Sequence, residues 1–159
     1  MAQKQSPVDI AYDWELWIGR DTTDDSTYDN WTQIYGFEGL PFPDQVPEEV
    51  DVTHLNSPGR TRETRPGLIA AVDWTQEKQL WPSDAGDVLL ETLSALTAAG
   101  TEETVLIEFN IRPDGTSIRR TYRGYVNSYN PTGTVGEKEM ASLSVKIFDR
   151  QATNARTIA

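Results

Sequence analysis

The sequence predicts a mainly β domain, a β-sandwich or barrel of two antiparallel sheets with one flanking α-helix. Three observations carry that class. Residues 105–126 read as a long β-hairpin. About seven short segments alternate apolar and polar side chains with the strand period of two. Only residues 83–100 show convincing helical spacing.

In the hairpin, Val105, Ile107, Phe109 and Ile111 alternate with Leu106, Glu108 and Asn110, the pattern of a half-buried strand. Arg112-Pro113-Asp114-Gly115-Thr116 then suits a reversal. Proline presets φ, aspartate caps locally and glycine accepts positive φ. Ile118, Tyr122 and Val126 resume the pairing.

Earlier in the chain, Tyr12, Trp14, Leu16 and Ile18 alternate with Asp13, Glu15 and Trp17 in a strand that stops at Gly19. The polar loop 21–29 lacks the aspartate ladder, glycine and terminal glutamate of a calcium loop, so no metal is expected there. Trp31, Gln33, Tyr35 and Phe37 mark a second strand, and Pro41, Pro43 and Pro47 punctuate an extended connection. Residues 49–53 form a short strand with carboxylates on its outer face. Residues 54–66 have no apolar period but carry Asn56-Ser57-Pro58-Gly59 with Arg60, Arg62 and Arg65. Loops of that length without a core of their own are either functional or flexible, and both readings are open.

Residues 67–81 return to strand, with Leu68, Ala70, Val72 and Trp74 on one face. Ser83 is placed to cap a helix whose first turn is acidic, with Asp84 and Asp87. Leu89, Leu93 and Leu96 form its apolar stripe, and Gly100 stops it after about four turns. Residues 130–136 read as a turn, and Ala141, Leu143, Val145 and Ile147 as the last strand.

At 159 residues the chain reads as one domain over 12–150, with an N-terminal arm 1–11 and a polar C-terminal tail 151–159. Net charge is −11, which opposes duplex DNA binding through a basic face. The acid is uneven. Residues 1–60 hold 12 Asp/Glu and 3 Lys/Arg, a net of −9; the other 99 hold 13 and 11, a net of −2. Solubility explains such an asymmetry, and so does a surface that repels an anion or meets a basic neighbour. The hairpin arginines Arg119, Arg120 and Arg123 lack the interleaved aromatics of a single-strand platform. They suit pairing with an acidic neighbouring copy, for which Asp51 is the candidate partner.

Chemistry is scarce. With no cysteine and the single histidine His54, thiolate chemistry, multi-histidine metal sites and histidine relays lack parts. Strand placement could still bring Glu15, Asp73 or Glu108 together as a carboxylate pair, but nothing singles one out, so no catalytic residue, cofactor or metal is assigned; no apolar run is long enough for a membrane helix. Trp14 and Trp31 fall on strand faces, where they serve core or interface packing or, alternatively, stack on sugars as in a carbohydrate-binding β-sandwich module.

The order of motifs resembles the major tail tube proteins of long non-contractile-tailed (siphovirus-type) bacteriophages. The resemblance runs over residues 12–150. It rests on Glu49-Val50-Asp51-Val52-Thr53 before the long loop, Trp81-Pro82 leading into Gly86-Asp87-Val88-Leu89-Leu90, and Phe109-Asn110-Ile111-Arg112-Pro113-Asp114-Gly115-Thr116. Tyr122-Arg123-Gly124-Tyr125-Val126-Asn127-Ser128 completes it. It implies a structural virion protein, made in the host cytoplasm, that forms hexameric rings stacked into a tube for genome ejection. A negative lumen would then not grip the double-stranded DNA passing through. Tail-tip, tape-measure and tail-terminator proteins are the implied partners. The loop carrying His54, Asn56, Arg60, Arg62 and Arg65 would reach the next ring, and both chain ends would be ordered by neighbours.

Overall fold

The computed structural model describes residues 6, 12–24, 26–112 and 118–158. Eight strands and one α-helix follow in the order β1 (Glu15–Arg20), β2 (Asn30–Ile34), β3 (Pro47–Asp51), β4 (Thr64–Ile69), β5 (Val72–Gln79), α1 (Ala85–Ala98), β6 (Val105–Asn110), β7 (Arg119–Thr132) and β8 (Met140–Arg150). Six form one antiparallel sheet in the order β2-β1-β6-β7-β8-β5, and β3 and β4 form a separate two-stranded sheet. The expected class, two antiparallel sheets with one helix, is what the chain adopts.

The large sheet curls until its edges meet. Beyond β2, Phe37 bridges Lys78 on β5, and Gln79 N–H donates to the Gly36 carbonyl at 2.8 Å. Curling buries the inner face. Ile18, Ile107 and Tyr122 lie side by side across β1, β6 and β7, while Val126 faces Val145 and Tyr129 faces Leu143 across β7 and β8. All are buried, as the period of two requires once one face is enclosed. Helix α1 lays Leu89, Leu90 and Leu93 against this core.

The proline-rich connector 39–47 is a plug. Leu40 is buried, Phe42 packs on the core, and the Trp74 indole donates to the Pro41 carbonyl at 2.8 Å. Phe109 sits at the centre of an aromatic cluster, with Phe42, Trp74 and Tyr122 centroids at 5.5, 5.4 and 5.7 Å.

Several local expectations are corrected. Strand β6 is buried on both faces rather than one, because the C-terminal segment covers Glu108 on the outer side. The single strand expected over 67–81 is two: β4 belongs to the small sheet and β5 to the large one, with Leu68 exposed and Trp74 buried. Asp84, not Ser83, caps α1, accepting from Gly86 N–H at 3.0 Å. Strand β7 runs through Asn130 and Pro131 to Thr132, so the reversal falls later, where Gly136 has φ 83°. The hairpin is present, since Ile111 N–H donates to the Ile118 carbonyl at 3.1 Å. Its turn at 113–117 and the N-terminal arm, apart from Ser6, lie outside the described residues.

At Gly124, where the β7–β8 register shifts, an added Cβ would overlap the Lys146 backbone carbonyl. A rigid ladder atom has no rotamer to escape into. Gly124→Ala is therefore expected to cost about 3 kcal/mol, the upper range for overpacking, read as a lowered urea midpoint at unchanged m-value.

Candidate assembly surfaces

The β3–β4 hairpin holds every residue of the expected inter-ring loop. Among the described residues its two strands pair only with each other, Val50 opposite Arg65 and Asp51 opposite Thr64. Arg65 is thus a strand residue, and the connecting segment ends at Glu63 rather than Pro66. That segment is built, not featureless. Val52 N–H donates to the Glu63 carbonyl, the Ser57 hydroxyl donates to the Glu63 carboxylate, and Asn56 N–H donates to His54 Nδ1. Gly59 and Arg60 take successive left-handed conformations, with φ 66° and 56°, which turn the tip. Arg62 reaches Asp51 across the hairpin at 3.6 Å. Hydrogen bonds from Thr53 hold the Asp51 carboxyl below its ordinary range. Val52 and Leu55 in the connection, Val50 on β3, and Leu68 and Ile69 at the root of β4 are exposed.

The three hairpin arginines do not form one patch. Alternation puts Arg119 and Arg123 on the outer sheet face and turns Arg120 toward the barrel mouth, where its guanidinium lies 5.4 Å from the Phe42 ring centre. Arg123 is exposed, lies over Phe148 and donates to Asp149 at 2.7 Å. Partial burial raises the Asp149 carboxyl, but the bond and charge of Arg123 outweigh it and hold the group below its ordinary range. Arg119 is committed inward, donating to Glu108 at 3.0 Å and to the Arg156 carbonyl. Within the chain Asp51 meets Arg62 and none of these three.

Two charged constellations escaped sequence reasoning. On the outer face Glu108 is fully buried between its register partners Trp17 and Thr121. The C-terminal segment crosses above it. Gln151 N–H donates to the Thr121 carbonyl, the Thr121 hydroxyl donates to Asn154, and Arg156 binds Glu108 at 2.8 Å while stacking 4.1 Å over Trp17. The expectation that neighbours order this tail is corrected for residues 151–156: the subunit's own sheet holds them. On the inner face buried Lys78 donates to Asp87 Oδ1 at 2.7 Å, and the Tyr129 hydroxyl donates to Oδ2 at 2.7 Å. Burial first, and the Asp87 bond second, push the Tyr129 hydroxyl above its ordinary pKa. A signal for Lys78 was present, since it shares the face of Trp74 at strand spacing.

No group of His, Cys, Asp or Glu suited to a metal occurs among the described residues, and no helix there is long and apolar enough to cross a membrane. The tryptophans are engaged locally. Trp74 is core, Trp14 packs edge-on against Phe42, Trp31 covers Gly19, Trp17 lies under Arg156, and Trp81 stacks on Tyr35.

The fold is shared with chains of tails and injection systems. It matches a chain from the tail of an empty gene transfer agent particle refined with C6 symmetry, with TM-score 0.59 and 20% identity over 87% of this chain and 96% of that one. A chain from the sheath/tube terminator of an extracellular contractile injection system in its extended state matches at TM-score 0.60 and 11% identity, over 92% and 96%. The SPP1 tail tube matches at TM-score 0.52 and 9% identity, over 86% and 74%. No protein-family model and no curated protein matches the sequence.

Removing Arg156 leaves a buried carboxylate with Arg119 alone. Arg156→Ala is expected to cost about 3 kcal/mol, the scale for breaking a buried ion pair, and Glu108→Gln in the same chain should recover part of it. Urea unfolding of the two single variants and the double measures that coupling.

Proposed function

We propose that this chain is the structural subunit of a bacteriophage tail tube, a major tail tube protein of the non-contractile type. It forms hexameric rings that stack into a tube, resides in the virion and works without cofactor or catalysis. Tail-tip, tape-measure and tail-terminator proteins are its other partners.

The observation that carries this reading is the open β3–β4 ladder on a fold shared, along nearly its whole length, with chains of tails and injection tubes. An isolated two-stranded sheet is marginal in water, and unpaired edges invite another chain. Among the described residues neither edge has a partner and Val50, Leu68 and Ile69 are exposed, so a neighbouring subunit is the natural cover. Across the lateral contact Arg123 and Asp51 are the charges free to re-pair, both being exposed, while Arg119 keeps the Glu108 site closed. A net charge of −11 repels a polyanion, so duplex DNA passes without specific binding.

Deleting residues 56–62 removes the tip without touching the barrel. The variant should keep the wild-type circular dichroism spectrum and urea midpoint of the barrel, yet sediment as single subunits or rings where wild type forms tubes. Normal tubes from the deletion variant would refute the role of the hairpin.

A further inference from the structure

The tube-subunit reading leaves open where the hairpin lands. We propose that the hairpin tip of one copy docks on an acidic-rimmed aromatic patch at the far end of β5 of a second copy, a head-to-tail contact that repeats from subunit to subunit.

The patch is formed where β5 passes into α1. Tyr35 and Trp81 stack at 5.7 Å with 12° between their planes, and both are exposed. Beside them Leu80, Pro82, Val88, Tyr129 and Pro131 border an apolar cleft of about 300 Å³, with Val88 exposed at its lip. Carboxylates rim this surface. Glu91 lines the cleft, Asp84 precedes α1, and Glu38 is linked through Gln79 to the Trp81 indole; of the nearby cations, Lys138 is paired with Glu38, and Lys78 is buried beneath the cleft on Asp87.

The tip has the opposite character. Residues 54–62 contain His54, Arg60 and Arg62 and no carboxylate; Glu63 and Asp51 below the tip reach His54 and Arg62 at 3.6 Å. Leu55 stands fully exposed among them. An apolar knob flanked by arginines matches an apolar cleft flanked by glutamates, and rim charges of that kind fix orientation.

In one chain the root of the hairpin and the patch lie at opposite ends of β5, as two complementary surfaces of a repeating contact would. The hairpin enters β5 at Val72, and the patch begins after Gln79 at the other end. At the usual rise, seven steps separate the two by roughly 23 Å. One surface at each end of a strand is a heterologous pair, which closes into a ring or propagates as a stack.

The chain has no cysteine, so a double variant, Asn56→Cys with Thr92→Cys, reports the contact cleanly. Both positions are exposed and flank Leu55 and Val88 without replacing them. The full-length double variant is concentrated with and without a purified tail-tip complex as template, treated with a short bis-maleimide and run on a denaturing gel beside each single variant, with tubes scored by electron microscopy in both arms. The expected result is tubes together with a ladder of dimer, trimer and higher species absent from the controls. A ladder without tubes would support the contact and overturn the tube reading. Tubes without a ladder, or a dimer band alone, would overturn the contact and leave the tube reading standing. Neither tubes nor ladder in either arm would overturn both.

Discussion

The bond between Lys78 Nζ and Asp87 Oδ1 is the constraint on which the rest of the fold depends. Both groups are buried, so each needs the other: an ion taken from water without its partner costs several kcal/mol. The same Asp87 carboxylate accepts from the Tyr129 hydroxyl and from Trp81 N–H at 2.8 Å. One side chain of α1 therefore ties the helix to β5, to β7 and to the turn that joins strand to helix. With α1 fixed, Leu89, Leu90 and Leu93 cover a core that the curled sheet alone leaves open. Fixing the turn also places Trp81 against Tyr35, which builds the exposed patch at this end of the barrel. Stability and surface come from one buried carboxylate.

The outer face follows the same logic with different parts. A sheet strand exposed on one side carries polar residues there at little cost, but Glu108 is not exposed. Arg119 and Arg156 neutralise it, and Trp17 lies beneath the Arg156 guanidinium. The barrel is thus closed inside by apolar packing and outside by its own C-terminal segment. Among the exposed apolar surfaces are the small β3–β4 sheet and the aromatic patch, at opposite ends of β5. Exposed apolar surface at both ends of β5 suits association with another chain.

Much of this was legible in the sequence, because period-two patterning depends only on which face is buried. Ile107, Phe109, Leu143 and Val145 declared the inner face, and the leucine stripe declared α1. What escaped notice is long-range. No local pattern tells Glu108 from a solvated glutamate, since its partner Arg156 lies 48 residues away. The break between β4 and β5 was hidden because Leu68 and Trp74 continue one alternation although they join different sheets. Arg119, Arg120 and Arg123 read as one basic patch in sequence, whereas the strand period sends Arg120 to the other face and Glu108 claims Arg119. Charge clusters counted along a chain carry no information about face or burial.

The most direct test of the central claim is electron microscopy of the purified full-length protein after concentration and ageing. The account predicts tubes of uniform width with an open bore and a six-fold rotational average. A protein that stays monomeric at every concentration, even when offered a purified tail-tip complex as template, would contradict it.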